Sequence, residues 1–253
     1  MDRDDFHKLF KSAGPVVTPV IHVLDLAQAM RNIAVAIRAG AAGVFLINHD
    51  CPKEHLLPIL RDLRARWPGL WLGVNFLATA GRDAFPILGR LQAEGCPIDA
   101  YWADDARIDE REAGQAEAEE IARIRTDSGW IGLYFGGVAF KKQRAVDPAQ
   151  HRRSAAIARP FMDVVTTSGI ATGHAAEDGK IAEFRLGLGD APLALASGVT
   201  PDNAARYGRN VDCFLVATGI NRDGDFYNID PARLEALLAV TRDMGTGNTG
   251  AET

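Results

Sequence analysis

One stretch near the N-terminus decides the fold class. Residues 16–40 read VVTPVIHVLDLAQAMRNIAVAIRAG, where a run of β-branched and apolar residues is followed at once by a helical pattern. Asp25 is placed to cap that helix, because a short carboxylate can accept hydrogen bonds from the free amides of the first turn. Apolar residues then repeat at helical spacing, at Leu26, Met30, Ile33 and Ile37. Gly40 suits a left-handed C-terminal cap, so the stretch predicts one strand followed by one helix.

The same unit recurs along the whole chain. Eight apolar runs predict strands at 16–23, 43–47, 70–76, 98–102, 130–135, 162–166, 192–196 and 211–217. A helical pattern follows each of them, and strands that alternate with helices pair in parallel through right-handed crossovers. Eight such units predict an α/β protein with a single (βα)8 TIM barrel, preceded by a short N-terminal helical extension. An open doubly wound sheet is less favoured, because no glycine-rich dinucleotide fingerprint follows the first strand.

Proline and glycine mark further boundaries. A capping residue followed by proline predicts helix starts at Asp147-Pro148, Thr200-Pro201 and Asp230-Pro231. Pro58 interrupts the second helical pattern, so that helix is expected to start late or to kink. The sixth helix is expected around residues 180–188. Residues 1–243 are interpreted as one domain and the small, polar residues 244–253 as a flexible tail.

Composition excludes several classes of protein. The 253 residues include 28 Lys plus Arg and 33 Asp plus Glu, a net charge of −5, so no basic surface for nucleic acid is expected. No apolar run is long enough to cross a bilayer, and the charged N-terminus lacks the core of a signal peptide. Cys51, Cys96 and Cys213 show no metal-ligand spacing and are expected to be reduced thiols in a cytoplasmic protein. No metal or cofactor is predicted, and the pattern leaves homo-oligomer formation open.

The carboxyl ends of the strands form the functional face of a TIM barrel, so polar residues there are the candidates for chemistry. His22 after strand one and Asp104 after strand four are the predicted acid-base pair. Lys141 and Lys142 follow strand five; a solvated loop pair is favoured over a Schiff-base lysine, because lysine is rarely buried. Lys141 is retained as the third catalytic candidate.

Small residues after strands six, seven and eight predict a site for phosphate. Loops of this kind expose backbone amides that can point at an anion, often beside a helix N-terminus. Gly198, Thr200 and Gly219 are expected to hold the phosphate, with Ser168 and Thr172 as hydroxyl donors. The alternative is that these glycines merely allow tight turns.

Several short motifs keep an order that resembles the BtpA/SgcQ family. They are GVNF at 73–76, FKK at 140–142, SGIATG at 168–173, SGVTPDN at 197–203 and NRDGD at 221–225. The resemblance implies a barrel of the ribulose-phosphate-binding type. By match of motif it also implies a set of residues on the functional face, namely Asn75, Lys141, Ser168, Thr172, Ser197, Gly198 and Asn203. Gly169, beside Ser168, is a further candidate for the phosphate site.

Three functions remain open at this level. The first is an isomerase or lyase that acts on a small phosphorylated metabolite, such as a sugar phosphate or a phosphoribosyl compound. The second is a non-catalytic assembly or regulatory factor, which the family's link to photosystem biogenesis suggests. The third is a metal-dependent hydrolase with His22, His49, Asp50 and Asp104 around a divalent ion.

Overall fold

A computed structural model describes residues 1–141 and 143–245 and shows a closed barrel of eight parallel strands in chain order. The strands are β1 (Val16–His22), β2 (Val44–Ile47), β3 (Leu72–Asn75), β4 (Ala100–Ala103), β5 (Leu133–Gly137), β6 (Val164–Ser168), β7 (Leu193–Ala196) and β8 (Cys213–Val216). Val16 of β1 pairs with Cys213 of β8, which closes the ring. The predicted TIM barrel is confirmed, and each of the eight predicted runs contains or overlaps one strand.

Helices cover the outside of the barrel. The described residues form α1 (Arg3–Phe10), α2 (Leu26–Ala39), α3 (Lys53–Arg66), α4 (Gly81–Ala93), α5 (Ala116–Ser128), α6 (His151–Ala158), α7 (Asp178–Leu188) and α8 (Pro231–Gly245). No described helix is both long enough and apolar enough to cross a bilayer. The short N-terminal extension is therefore α1, and the barrel helices begin with α2.

Local capping explains the starts of α1, α2 and α8. Oδ1 of Asp25 accepts a hydrogen bond from the Gln28 amide at 2.7 Å, and Gly40 ends α2 with a φ of 82°. Asp147 and Asp230 cap the predicted starts in the same way.

The late start expected for the helix that contains Pro58 was wrong. Helix α3 starts at Lys53, five residues before Pro58.

The predicted helix start at Thr200-Pro201 was wrong. The segment between β7 and β8 holds only a 3-10 helix, Ala204–Tyr207, and no α-helix among its described residues. Thr200 does not cap it; instead the Thr200 amide donates to Oδ1 of Asn203 at 2.9 Å. α8 packs tightly against this segment, since a Cβ on Gly208 would lie 2.3 Å from Sδ of Met244. A full helix therefore has no room here.

The end of the chain was predicted as a tail from residue 244. Met244 and Gly245 are the last residues of α8, so the helix extends two residues further than expected. Residues 246–253 lie outside the described part of the chain.

The hydrophobic core has two layers, as strand pleating requires. The larger layer lies between the strands and the helices. The inner layer fills the barrel and includes Phe45, Trp102 and Phe135. Phe6 of α1 is fully buried and lies 6.4 Å from the Phe135 ring, centroid to centroid. The amino-terminal end of the barrel is thus closed by a side chain of α1, which leaves the opposite end for function.

A buried carboxylate fixes α1 in this position. Asp212 is fully buried and accepts hydrogen bonds from Arg3 at 2.7 Å, Arg185 at 3.1 Å and the Leu193 amide at 2.9 Å, and it contacts His7 Nε2 at 3.0 Å. Burial alone would raise the pKa of Asp212, but the hydrogen bonds from His7, Leu193 and Arg3 outweigh it and hold that pKa below its usual value. Asp212 therefore joins α1, α7 and the start of β7.

We expect Asp212→Ala to lower the free energy of unfolding by about 3–5 kcal/mol, because it leaves the partly buried Arg185 and the buried Leu193 amide without their partner. Chemical denaturation of the purified protein measures this change. Asp223→Ala is the matched control, since Asp223 is 88% exposed in its pair with Arg233, and a change within about 0.5 kcal/mol is expected. Equal effects of the two substitutions would contradict the anchoring role.

Candidate functional site

A cavity of about 60 Å³ lies at the carboxyl ends of the strands, and we call it the mouth cavity. Five of the predicted site residues line it together: His22, Asp104, Lys141, Thr172 and Ser197. They come from the ends of β1 and β4 to β7, which are far apart in sequence. The barrel therefore gathers both predicted partners of the acid-base pair and the candidate lysine around one space.

The Lys141 side chain joins the ends of three strands. Its Nζ donates to Oγ of Ser197 at 2.7 Å and to Oγ1 of Thr172 at 3.2 Å, while its backbone amide donates to Oγ of Ser168 at 2.8 Å. The preceding Phe140 is buried against Trp102, and this contact fixes the position of the segment that follows β5. Lys141 is thus directed into the mouth, contrary to the solvated loop pair favoured from sequence. Lys142 lies outside the described residues.

Asp104 is oriented by a buried amide. Nδ2 of Asn75 donates to Oδ1 of Asp104 at 3.0 Å, and Asn75 is fully buried on β3. Gln143 donates to the Asp104 carbonyl and so fixes the backbone as well. Asn75 does not line the mouth cavity itself, so the structure gives it a positioning role toward Asp104.

His22 is buried at the end of β1 and is 7% exposed. Burial, followed by the charges of His49 and Lys141, lowers the pKa of His22 from 6.5 to about 4. Its Nδ1 has no hydrogen-bond partner among the described residues. At neutral pH the imidazole is therefore uncharged.

Phe226, which the sequence analysis did not select, covers His22. The two rings lie 3.9 Å apart, centroid to centroid, and the His49 ring lies 5.5 Å from His22. The backbone around Phe226 is held by Gln28 and Asn32, which donate to the Tyr227 carbonyl at 2.7 and 2.9 Å. The role of these two side chains of α2 could not be predicted from the sequence, because their partner lies near the other end of the chain.

Two glycines of the predicted phosphate loops lie in close contact with neighbouring loops. Gly198 has a φ of 68°, and a Cβ there would lie 2.2 Å from the His174 carbonyl carbon. Its carbonyl accepts from Nδ2 of Asn203 at 2.7 Å. A Cβ on Gly219 would lie 1.9 Å from the Val199 carbonyl oxygen. These glycines permit close contacts between loops, and the phosphate-binding role of their amides stays a prediction.

Several other predicted residues support the site from outside it. Gly169 passes close to the His174 carbonyl oxygen, at 2.2 Å from a hypothetical Cβ. Ser168 is fully buried and accepts from the Lys141 amide. Gly169, Ser168, Thr200, Asn203, Gly198 and Gly219 do not line the mouth cavity. The hydroxyl donors that do line it are Thr172, Ser197 and Thr218.

The proposed ligands for a metal ion do not form a site in the described residues. No group of three or more His, Cys, Asp or Glu side chains there has a metal-binding arrangement. Asp50 instead contacts Nδ1 of His49 at 3.2 Å and accepts from the Tyr227 hydroxyl at 2.9 Å. The geometry therefore gives no support to a metal-dependent hydrolase.

Comparison with known proteins supports the fold. No family model and no curated protein matches the amino-acid sequence. Among solved structures, the alpha subunit of tryptophan synthase from Legionella pneumophila superposes with a TM-score of 0.65 at 15% identity, over 98% of this chain and 99% of its own. Phosphoribosyl anthranilate isomerase from Thermus thermophilus superposes with a TM-score of 0.57 at 16% identity, over 89% and 97%. At these identities the likeness establishes the TIM-barrel fold.

Proposed function

We propose that this protein is an enzyme that binds a small phosphorylated metabolite in the mouth cavity and transfers a proton on it, as an isomerase or lyase does. One observation carries the proposal. The Lys141 ammonium, with the hydroxyls of Thr172 and Ser197, shares a single cavity with Asp104 and an uncharged His22. Such a cavity has one end suited to an anion and another suited to acid-base chemistry.

The anion would be held by side chains and not by the glycine loops. An ammonium beside two hydroxyls offers charge-assisted hydrogen bonds to phosphate oxygens. Thr172 and Ser197 now accept from Lys141, and a phosphate could replace them as its partner while they turn to donate. Fixing a phosphate in this way supplies binding energy that orients the reacting end of the substrate.

Proton transfer would be carried by His22 and Asp104. An uncharged imidazole can accept a proton, and Nδ1 of His22 has no partner among the described residues. Asp104, held by Asn75, is the second group at the mouth. Two titratable groups of different kind around one cavity suit removal of a proton at one atom and its return at another.

The same residues support a place among barrels of the BtpA/SgcQ type. Lys141, Thr172 and Ser197 lie in three of the motifs that carry the resemblance, and their side chains meet in one cavity. We infer that these motifs form the ligand site of such barrels. One solved structure with the same fold is named a phosphoribosyl anthranilate isomerase, and this name agrees with the proposed class of ligand.

Phosphate and ribose 5-phosphate should raise the melting temperature of the protein, because a ligand at 100 times its Kd stabilises the folded state by about 2.7 kcal/mol. Lys141→Met should weaken this binding at least about tenfold, and Ser197→Ala by less. Thermal-shift titration measures both. Lys8→Met, a change on α1 at the far end of the barrel where Lys8 is 75% exposed, should leave the titration unchanged. A Lys141→Met protein that responds like the wild type would contradict the anion site.

His22 should titrate near pH 4, and NMR of its ring protons measures this directly. Since the unfolded chain takes up the proton near pH 6.5, the contribution of neutral His22 to stability is present above that pH. It is lost as the pH falls from 6.5 to 4, by about 3 kcal/mol.

Denaturation of His22→Gln over the same pH range is the comparison, because this variant should lack that portion of the pH dependence. A His22 resonance that titrates near pH 6.5 would show that the imidazole is not held neutral by burial.

A further inference from the structure

A second cavity, of about 420 Å³, lies beside the mouth, between the segments that follow β5 and β6. We call it the side cavity and define it by Phe140, Val146, His151, Ile170 and Lys180. Its walls are largely apolar, and Ile170 at the rim is 82% exposed. An exposed branched side chain beside a cavity of this size is a surface suited to an apolar ligand.

Lys180 supplies the charge of this cavity. Its Nζ donates to the carbonyl oxygens of Ala139 at 2.6 Å and Ser168 at 2.7 Å, both of which are neutral. Among the ion pairs formed by residues 1–141 and 143–245, none includes Lys180. An ammonium has three N–H groups, so two carbonyls leave one for another acceptor. Among the described residues that line the cavity, Glu177 is the one carboxylate; it is exposed and forms no ion pair with Lys180.

The other charges around the cavity do not change this sign. Burial lowers the pKa of Lys180 to about 8, while the exposed Glu177 opposes that shift. Burial and the nearby Lys180 charge lower the pKa of His151, so its ring is neutral at pH 7. Arg144 is already paired with Glu110 at 2.7 Å. A partly desolvated ammonium attracts an anion more strongly than one in bulk water does.

We propose that the side cavity binds a small monocarboxylate with an apolar body. The carboxylate would accept the third hydrogen bond of Lys180, and the body would lie against Phe140, Val146 and Ile170. One ammonium with one remaining N–H group matches a monoanion, because a phosphate dianion requires several donors. The walls of the cavity are mostly apolar and so favour a ligand with an apolar body.

Lys141 lines both cavities, but its Nζ donates to Thr172 and Ser197, which line only the mouth cavity. The carboxylate is therefore assigned to Lys180, and the proposal does not depend on the proposed function of the mouth.

Isothermal titration of the full chain with phenylacetate tests the proposal. Lys180→Met should weaken binding by at least about tenfold, which equals about 1.4 kcal/mol. Lys180→Arg keeps the charge and should bind within about threefold of the wild type. Lys8→Met is the matched control and should bind unchanged. Phenylacetamide, which has the same shape without the charge, should bind the wild type at least about tenfold more weakly than phenylacetate.

Lys180 also joins two carbonyls, so melting curves of each variant accompany the titration. If Lys180→Met does not fold, Ile170→Asp replaces it. Ile170 is exposed, so the fold tolerates this change. Both ligands lose the apolar contact with Ile170, but the new carboxylate at the rim also repels an anion, so binding of phenylacetate should weaken more than that of phenylacetamide.

Four outcomes would overturn the proposal. The first is equal binding of phenylacetamide and phenylacetate, and the second is an equal affinity of folded Lys180→Met and Lys8→Met for phenylacetate. The third is Lys180-dependent binding of inorganic phosphate that is as tight as that of phenylacetate. The fourth is an unchanged affinity of Ile170→Asp for phenylacetate. Amide NMR shifts on adding phenylacetate should appear at Val146 and Ile170. Shifts confined to His22 and Trp102 would assign the ligand to the mouth and also overturn the side cavity.

Discussion

Closure of the barrel between β1 and β8 is the constraint on which the rest of the structure depends. Because this closing pair and the seven other neighbouring pairs are all parallel, the eight strands point the same way and their carboxyl ends form one ring. His22 and Lys141, which lie far apart along the chain, are thereby brought to one cavity. The pairing needs a filled interior and a closed floor, which Phe6 and the hydrogen bonds of Asp212 provide.

Most of the fold could be predicted from sequence because it rests on local signals. Apolar runs locate all eight strands, and Asp25 and Gly40 mark both ends of α2. The failure at Thr200-Pro201 has a tertiary cause, since a capping pattern shows that a helix can start but not whether space exists for it. Here α8 takes that space, as the contact between Gly208 and Met244 shows.

The candidate site was predictable in part. His22, Asp104 and Lys141 were selected because each follows a predicted strand, and the position of a residue relative to a strand can be recognised in the sequence. All three line the mouth cavity. The roles of the glycines could not be predicted. A glycine that exposes amides to an anion and a glycine that lets two loops come into contact look the same in a sequence. The contact between the loops is seen only in the structure, where Gly219 lies close to Val199. Phe226 was not predicted as a site residue, because its position depends on side chains from α2.

The two ends of this barrel carry different duties, and that separation affects how the protein can change over time. The Asp212 network secures the amino-terminal end, far from Lys141 and His22. Substitutions at distant positions with no shared partner add their effects independently. Loops at the rim can therefore acquire new ligand preferences by drift and selection while the anchored base absorbs the accompanying loss of stability.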